Sequence, residues 1–295
     1  MRLLIAGWQG QVARALVELA PSAPEVESFA VGRPGLDLCN ASTITRAMTD
    51  FRPDVIINSA AYTAVDKAES EAPAALALNR DGARMLAEAA AKRGAAIIHI
   101  STDYVFDGSK PTPYVEDDPT APLNVYGRSK LEGEQALAEA NPRHVIARTS
   151  WVYSPTGANF VKTMLRLAGE RKELRIVDDQ IGNPTYAPHL AKALLQIARS
   201  VLEDEPGQRW GTYHLAGSGT VSWCGFAREI FRVSATLGGP SADVAPIATA
   251  DYPTPARRPA NSRLDCSKAE STFGVVLPDW RAGVHDCVVR LLARS

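Results

Sequence analysis

The sequence predicts an α/β protein whose main feature is a doubly wound parallel sheet. Short apolar runs alternate with helical patterns through the first 150 residues, and the first run leads directly into a glycine-rich turn. Continuous apolar runs of this kind are typical of parallel strands that helices cover on both faces. Strand, tight glycine turn and helix in that order indicate a Rossmann-type fold. We therefore expect an NAD(P)-binding domain in residues 1–150 and a smaller, mainly substrate-binding region in residues 151–295, partly threaded back through the first.

Composition excludes several other classes of protein. The chain has 295 residues, of which 45% are hydrophobic and 22% charged, as in ordinary globular proteins. A net charge of −1 gives no overall field that would attract nucleic acid or an anionic membrane. No apolar run approaches the ~18 residues that span a bilayer, and the first is too short for a signal peptide. We expect a cytoplasmic protein. The cysteines show neither metal-binding nor disulfide spacing and lie far apart, at Cys39, Cys224, Cys266 and Cys287.

The N-terminal stretch carries the pattern of a dinucleotide site. An apolar strand over residues 2–6 runs into a glycine turn, and a helical pattern follows through residue 19. Gly7 permits the tight turn, Gly10 lets the backbone approach a pyrophosphate, and Ala13 allows close packing of helix on strand. The start of the helix would receive the phosphates. Because the turn directly follows a strand, this interpretation is favoured over a turn without a ligand.

The second predicted strand, residues 26–31, bears on the choice of cofactor. An NAD-specific site usually has an acidic residue near the end of this strand. Here Gly32, Arg33 and Pro34 follow instead, and Arg33 could pair with the 2′-phosphate of NADPH. A solvated loop arginine explains the pattern equally well, so NADH stays open as a cofactor. Asp37 and Leu38 come next, where adenine would lie, and a helix is predicted over residues 42–51.

Two further strand ends carry candidate site residues. The strand over residues 54–58 ends in small residues, which leave room for a ligand at the edge of the sheet. In the helix predicted over residues 74–93, Asn79 either braces this strand end or is an ordinary helix asparagine. The strand over residues 95–100 ends at Thr102, whose hydroxyl could hold a substrate oxygen or serve only the structure. Residues 107–123 are predicted to form a long loop over the site.

Tyr126 and Lys130 form a Tyr-x-x-x-Lys pair at the head of a predicted helix. Residues four apart lie on one face of a helix, so the phenol and the ammonium should point the same way. A free phenol has a pKa of about 10, and a nearby cation lowers that pKa. The pair is therefore a candidate general acid with Lys130 tuning Tyr126. Such pairs also occur by chance on solvated helices. The candidate site residues at the strand ends described above favour a catalytic role for this pair.

Beyond residue 150 the regular alternation loosens. Elements become shorter and prolines more frequent, which favours a smaller C-terminal domain, and residues 251–259 read as an extended basic segment. The predicted strands cover residues 144–148, 174–177 and 212–215, and the predicted helices cover residues 159–168, 186–201, 222–233 and 279–292.

The glycine turn, the Thr102 strand end and the Tyr126–Lys130 pair, in this order and spacing, resemble the extended short-chain dehydrogenase/reductases. Within them the chain resembles the dTDP-4-dehydrorhamnose reductase family along essentially its whole length. The resemblance implies hydride transfer from NADPH or NADH to C4 of dTDP-4-dehydro-β-L-rhamnose, giving dTDP-L-rhamnose for cell-surface polysaccharide. The stretches that carry it are residues 64–69, 101–106, 121–127, 148–153 and 252–259.

The resemblance also implies roles for particular residues. Tyr126 would protonate the C4 oxygen, Thr102 would hydrogen-bond the same oxygen, and Lys130 would tune Tyr126 and hold the nicotinamide ribose. Asp103 and Trp151 would contact the sugar, with Trp151 as an apolar wall. Arg258 would pair with the nucleotide diphosphate, or else lie in a solvated turn. The implied cofactor contacts, besides Tyr126 and Lys130, are Gly7, Gly10, Gln11, Val12, Arg33, Asp37, Leu38, Ala60, Ala61, Tyr62 and Thr63.

Departures from the family pattern leave some properties open. Ala15 stands where some relatives would have a magnesium-binding carboxylate, so we expect no metal and either a monomer or a weak homodimer. Two alternatives to the reductase remain. One is another nucleotide-sugar epimerase or reductase; a dehydratase is disfavoured, since Asp103 is followed by Tyr104 rather than by a second acid. The other is a non-catalytic regulatory subunit, which would not need Thr102, Tyr126 and Lys130 together.

Overall fold

The computed structural model describes residues 1–203 and 209–293. The strands are β1 Arg2–Ala6, β2 Glu27–Val31, β3 Val55–Asn58, β4 Ala96–Thr102, β5 His144–Thr149, β6 Val152–Tyr153, β7 Glu173–Val177, β8 Ile181–Gly182, β9 Thr185–Tyr186, β10 Gly211–His214, β11 Val221–Ser222, β12 Asp243–Ile247 and β13 Asn261–Ser262. The α-helices are α1 Gln11–Leu19, α2 Ala41–Phe51, α3 Val65–Ala68, α4 Ala72–Leu76, α5 Ala83–Ala91, α6 Val125–Ala140, α7 Phe160–Ala168, α8 Ala187–Glu203, α9 Trp223–Thr236, α10 Ser267–Phe273 and α11 Trp280–Leu292.

The largest sheet has six strands, in the order β2-β1-β3-β4-β5-β10, and all its pairs are parallel. From β1 the chain moves to one edge to form β2, then crosses to the other side of β1 to form β3. The strand order therefore reverses direction between β1 and β3. In open α/β sheets this is the point where ligands bind, outside the carboxyl ends of the strands. The predicted Rossmann-type doubly wound sheet is confirmed.

Apolar side chains bury both faces of this sheet. In β1, Leu3 faces the hydrophobic cluster that contains α1 and α8, and Leu4 faces the cluster that contains α2 and α5. In β3, Ile57 lies in the cluster with α1 and α8, and Ile56 lies in the cluster with α2 and α5. This alternation follows from the period of two along a strand. With apolar residues on both faces the strands have no polar face, as the continuous apolar runs predicted.

The long helix predicted over residues 74–93 contains a π-helical segment. α4 continues through π-helical Ala77–Gly82 into α5, so the helical run extends from residue 72 to residue 91. Asn79 lies in the π-helical turn, a type of irregularity that often marks functional sites. α6 passes very close at this point, because a Cβ on Gly133 would lie 2.1 Å from the Asn79 carbonyl oxygen. The glycine thus allows the two helices to approach.

The C-terminal region has its own core, in which α7, α9 and α11 surround Tyr153, Phe226 and Trp280. β7 and β12 form a parallel pair beside it, and β8 joins β11 and β13 in a three-stranded sheet. However, α8 packs on the core of the large sheet, and β10 forms the edge of that sheet. The chain after residue 150 therefore contributes to both parts, and the division into two domains stays a prediction.

Residues 107–123 form the predicted irregular loop, but much of the loop is fixed by contacts with distant parts of the chain. Tyr114 forms an isolated bridge with Leu264, and its ring stacks on Phe106 at 4.2 Å between centroids. Only the two ends of the loop, near Asp107 and Leu123, border the cleft beside residues 252–258. Across the described ranges, no helix is both long enough and apolar enough to cross a bilayer.

Candidate active site

The turn after β1 is shaped to receive a phosphate-bearing ligand. Gly7 has a φ of +102°, which favours glycine, and its Cα faces Ser59 at the end of β3. Gly10 is the residue before α1, and no side chain caps the first turn of this helix. A Cβ on Gly10 would meet nothing within 4 Å, so the space over the helix start is open. Unpaired backbone N–H groups facing open space suit the pyrophosphate of a dinucleotide.

Two of the predicted cofactor residues can use only their backbone. The side chain of Val12 is 8% exposed and that of Leu38 is 2% exposed, and both lie in the core. Gln11 also directs its side chain elsewhere, because its Nε2 donates to the Val152 carbonyl and its Oε1 accepts from Asn159. These side chains serve packing or internal hydrogen bonds, and contact of Gln11, Val12 and Leu38 with a cofactor stays a prediction.

At the end of β2, Arg33 is exposed and makes no ion pair within the described part of the chain. The Asp37 carboxylate accepts the backbone N–H of Cys39 at 3.0 Å and so closes the following turn. Trp8 lies over this strand end, since a Cβ on Gly32 would be 2.4 Å from its indole ring. Trp8 is 51% exposed, and the sequence analysis missed it as a site residue. A large exposed aromatic residue inside the glycine turn was the available signal.

Asn79 braces the end of β3, which confirms the first of its two predicted roles. Its Oδ1 accepts the Tyr62 backbone N–H at 2.7 Å, and its Nδ2 donates to the Tyr62 carbonyl at 3.1 Å. The same Nδ2 donates to the Ser129 hydroxyl on α6 at 2.9 Å. The Tyr62 phenol donates to Glu71 at 2.7 Å. The loop of residues 60–63 is therefore fixed to the helix that carries Tyr126 and Lys130.

Lys130 is buried and bound to β4. Its Nζ donates to the Ile100 carbonyl at 2.8 Å and lies 3.0 Å from Nε2 of His99. His99 is 1% exposed, and its Nδ1 lies 3.0 Å from Nδ2 of Asn58. Sequence reasoning missed His99 and Asn58. A single histidine within the apolar run of β4 was the signal that could have indicated a buried polar network.

The hydrogen-bond pattern of Asn58 indicates which nitrogen of His99 carries the proton. Asn58 Oδ1 accepts the Ala60 backbone N–H, so its Nδ2 donates to His99 Nδ1. The proton of a neutral imidazole then lies on Nε2 and points at Lys130, which favours the uncharged amine. Burial lowers the pKa of Lys130 to about 8, although the Glu134 carboxylate opposes this. Burial also holds the pKa of His99 well below its ordinary value.

Tyr126 is partly buried beside Thr102. Burial raises the pKa of its phenol to about 12, and the Thr102 hydroxyl acts weakly in the opposite direction. The expectation that Lys130 lowers the pKa of Tyr126 is therefore wrong for this structure. The physical reason is twofold: the phenol is desolvated, and the Lys130 amine is engaged with His99 and the Ile100 carbonyl.

Thr102 and Asp103 form a buried polar pair at the end of β4. The Thr102 hydroxyl donates to Asp103 Oδ1 at 2.9 Å and accepts the Tyr104 backbone N–H at 3.2 Å. Burial raises the pKa of Asp103 to about 6. Hydrogen bonds from Ser262 and Thr102 act in the opposite direction and lower that pKa. Contact of Asp103 with a sugar stays a prediction.

Trp151 has a left-handed backbone conformation, with φ +46°, which is rare for a bulky residue. Its indole stacks on that of Trp223, with centroids 3.6 Å apart and planes inclined by 10°. Gly182 allows the close packing, because a Cβ there would lie 2.6 Å from the Trp151 ring. Trp223 lines the adjacent cleft, and sequence reasoning had missed it. The role of Trp151 as an apolar wall stays a prediction, and Trp223 would share that role.

The adjacent cleft has a volume of about 680 Å³, which lies within the range of ligand sites in proteins. Besides Trp223 it is lined by apolar residues of α7 and β7, by residues of 251–258, and by Arg171 and Arg175. Both of these arginines are exposed. The cleft thus combines apolar and aromatic walls with cationic groups and with the acidic side chains of Glu173 and Asp251. Across the described residues, no group of three or more His, Cys, Asp or Glu side chains is arranged to hold a metal.

Arg258 also lines this cleft, but its guanidinium is already paired. It binds Asp66 through two hydrogen bonds, Nη2 to Oδ2 at 2.8 Å and Nη1 to Oδ1 at 3.0 Å, and Nη1 also donates to the Ala256 carbonyl. Arg258 holds the pKa of Asp66 below its ordinary range. The Asp66 carboxylate therefore occupies the two guanidinium N–H groups that a phosphate would need for bidentate binding. Pairing of Arg258 with a diphosphate stays a prediction.

An open crevice at the reversal of a parallel sheet, beside a helix that carries a Tyr–Lys pair, defines a nicotinamide-dependent short-chain oxidoreductase. The family model described as RmlD substrate binding domain matches residues 1–293. A dTDP-4-dehydrorhamnose reductase of Sinorhizobium fredii (strain NBRC 101917 / NGR234) is 53% identical over 292 residues, covering 99% of this chain and 98% of that protein. The chain belongs to the dTDP-4-dehydrorhamnose reductase family, which confirms the resemblance seen in the sequence.

Solved structures agree with this assignment. A dTDP-4-dehydrorhamnose reductase from Clostridium acetobutylicum superposes with a TM-score of 0.91 at 36% identity and covers 100% of both chains. The reductase from Bacillus anthracis, solved in complex with NADP, gives a TM-score of 0.89 at 37% identity and covers 98% of both chains.

Proposed function

We propose that this protein reduces the C4 ketone of dTDP-4-dehydro-β-L-rhamnose to dTDP-L-rhamnose, with NADPH or NADH as cofactor. The observation that carries the proposal is Tyr126 beside Thr102 at the carboxyl end of the sheet, next to an open crevice shaped for a dinucleotide. Support also comes from the relatives, which are named as reductases of this sugar nucleotide. These names do not favour the epimerase or regulatory alternatives.

The residues present fit a bound dinucleotide. The open helix start at Gly10 would take the pyrophosphate. Exposed Arg33 would face a 2′-phosphate, and the braced backbone at Tyr62 would border the nicotinamide half. Lys130 would leave His99 to reach the ribose hydroxyls. When bound, the reduced nicotinamide supplies a hydride to the substrate carbon.

The protein's own residues handle the proton. A pKa of about 12 keeps the Tyr126 phenol protonated at neutral pH, which is the state needed in a proton donor. The oxygen that forms at C4 as the ketone is reduced is more basic than a phenolate, so transfer of the Tyr126 proton to it is downhill. Thr102 lies beside the phenol and can hydrogen-bond the same oxygen. Solvent then returns a proton to Tyr126.

The nucleotide would occupy the cleft of about 680 Å³. Arg171 and Arg175 place two cationic side chains at its wall, where they can meet the diphosphate. Trp223 offers an aromatic face for the thymine base or the deoxysugar. Asp103 would accept a sugar hydroxyl at the end of β4, beside Thr102.

The test is oxidation of NADPH, followed by the loss of reduced-nicotinamide absorbance, with enzymatically prepared dTDP-4-dehydrorhamnose. The assay is repeated with NADH. Oxidation that depends on the sugar nucleotide and yields dTDP-rhamnose establishes the reductase and ranks the two cofactors. Protein that binds NADPH yet oxidises neither cofactor would contradict the proposal and favour another nucleotide sugar or a regulatory role.

Three further properties stay predictions. They are a cytoplasmic location, a monomer or weak homodimer, and activity without magnesium. Activity that survives treatment with a chelator, and a mass measured in solution, would test the last two.

A further inference from the structure

The start of α6, which carries Tyr126, is held by contacts from two distant segments. Glu69, just after α3, accepts the Val125 backbone N–H through its Oε1 at 2.8 Å. Asn124, which caps α6, donates through its Nδ2 to the Arg257 carbonyl at 2.8 Å. A carboxylate at the start of a helix is stabilising, so Glu69 suits this place. The helix start is thus fixed from the segment around α3 and from the loop around residue 257.

Asp66 joins these two segments to each other. Besides its paired hydrogen bonds with Arg258, its Oδ1 accepts the Ala256 backbone N–H at 3.2 Å. The loop that it holds also forms part of the cleft of about 680 Å³, through Tyr252, Thr254 and Arg258. A group bound in that cleft therefore touches the same loop that Asp66 fixes to α3.

Arg258 extends the connection to the catalytic tyrosine through Tyr104. Burial raises the pKa of Tyr104, and the guanidinium of Arg258 beside it acts in the opposite direction. The Tyr104 ring meets the Tyr126 ring edge-on, with centroids 5.9 Å apart and planes at 75°. The first turn of α6 also rests on Tyr104, since a Cβ on Gly127 would lie 2.2 Å from the Tyr104 carbonyl oxygen. A displacement of Arg258 would thus change the position of Tyr126 through one intervening side chain, that of Tyr104.

We propose that Asp66, Glu69 and Arg258 form a clasp that couples occupation of the nucleotide cleft to the position of Tyr126. The inference rests on the proposed reductase activity and deepens it. Binding of the nucleotide would orient the Tyr126 phenol toward the C4 oxygen. Part of the binding free energy of the nucleotide, which lies far from the ketone, would thus increase the rate of ketone reduction. Asp66 and Glu69 are positioning residues, and Arg258 acts through Tyr104.

Stability alone does not explain the clasp. The side chains of Arg258 and Asp66 are 22% and 42% exposed, and ion pairs of this exposure contribute little to folding. Removing the Asp66 charge should therefore leave the protein folded. A large effect of that change on turnover would indicate positioning.

The first experiment compares Asp66→Asn and Glu69→Gln with the unchanged chain. We expect kcat to fall by about 10- to 100-fold, as for a small displacement of a reacting group, while the Kd values for NADPH and for dTDP change by less than about twofold. The control is Glu88→Gln, which breaks an exposed pair with Arg84 on α5 and should change nothing. An unchanged kcat in Asp66→Asn would overturn the proposal.

Arg258→Gln separates the clasp from the predicted diphosphate contact. If Arg258 acts through Tyr104, kcat falls and the Kd for dTDP stays the same. If the Kd for dTDP rises by tenfold or more at unchanged kcat, Arg258 is a nucleotide ligand and the proposal is wrong.

The coupling itself is measured with the sugar and the nucleotide as separate molecules. Added dTDP should raise the rate at which the unchanged enzyme reduces free 4-dehydro-L-rhamnose, and it should not do so in Asp66→Asn. Equal stimulation in both proteins would overturn the coupling. An NMR signal of labelled Tyr126, assigned with Tyr126→Phe, gives a readout that needs no turnover. dTDP should move that signal in the unchanged protein only, so a failed reductase and a failed clasp give different results.

Discussion

The cofactor side and the substrate side of this site are built in different ways. The cofactor crevice consists of short continuous stretches at the ends of β1 and β3, and it depends largely on backbone: the φ of +102° at Gly7 and the open helix start at Gly10. The substrate side is assembled from side chains far apart in the chain, such as Trp151 with Trp223 and Asp66 with Arg258. A backbone site can be recognised from neighbouring residues, whereas a side-chain site requires the whole fold.

The difference also affects how each side responds to substitution. In the crevice we expect a change of side chain to leave most of the phosphate contacts in place, because backbone N–H groups would make them. On the substrate side a change removes both a contact and the support of its neighbour. We therefore expect graded effects of substitution on cofactor binding and coupled effects on sugar binding.

Tyr126 lies where the two sides meet, and its removal should have the largest effect. In Tyr126→Phe we expect turnover to fall by about 10²- to 10⁴-fold, since the proton donor is lost. The Kd for NADPH should change little, because the phenol is only one of many cofactor contacts. Stopped assays of product and fluorescence titration with NADPH measure the two quantities. Turnover within tenfold of the unchanged enzyme would remove Tyr126 from the mechanism.

The sequence predicted the parts of the fold and site that depend on local pattern. The six strands of the large sheet, the glycine turn and the Tyr126–Lys130 pair were located because apolar runs and spacing specify them. Short strands such as β8 and β12 were missed, since their pairing partners are remote in sequence. The pKa of Tyr126 was predicted in the wrong direction, because the burial of Tyr126 and the bonding of Lys130 to His99 exist only in the folded chain.

Arg33→Ala tests the cofactor side alone. Loss of a charged partner for the 2′-phosphate should weaken NADPH about tenfold, as expected for a hydrogen bond to a charged group, and leave NADH nearly unaffected. Arg46→Ala, an exposed arginine on α2, is the matched control. Titration of both cofactors with each variant gives the ratio of Kd values. Equal losses for NADPH and NADH in Arg33→Ala would refute the 2′-phosphate role.

Trp223→Leu tests the substrate side. Loss of the stacked partner should free the strained Trp151 and raise the KM for the sugar nucleotide by about three- to tenfold, in line with the energy of an aromatic pair. The Kd for NADPH should not change, because the stack belongs to the other side of the site. Initial rates over a range of sugar nucleotide give KM, and a thermal melt controls for stability. A weakened Kd for NADPH would show that the two sides are not separate.

His99 provides the finest test, because it acts on Lys130 from the cofactor side of the sheet. A pKa of about 8 means that Lys130 is charged below pH 8 and neutral above it. If the ammonium is the form that holds the ribose, activity is present below pH 8 and is lost as the pH rises through that value.

If Nε2 of His99 carries the proton, as the contact with Asn58 indicates, it hydrogen-bonds the neutral amine of Lys130 and disfavours the ammonium. In His99→Phe that donor is absent while the site stays buried. The pH at which activity is lost on the alkaline side should then rise by about half a pH unit to one unit. A shift of this size corresponds to the free energy of one neutral hydrogen bond. The profile of kcat/KM for NADPH measures the limb, with Lys130→Met marking activity without any ammonium. A limb that stays in place or moves to lower pH would mean that His99 accepts a hydrogen bond from Lys130 rather than donating one.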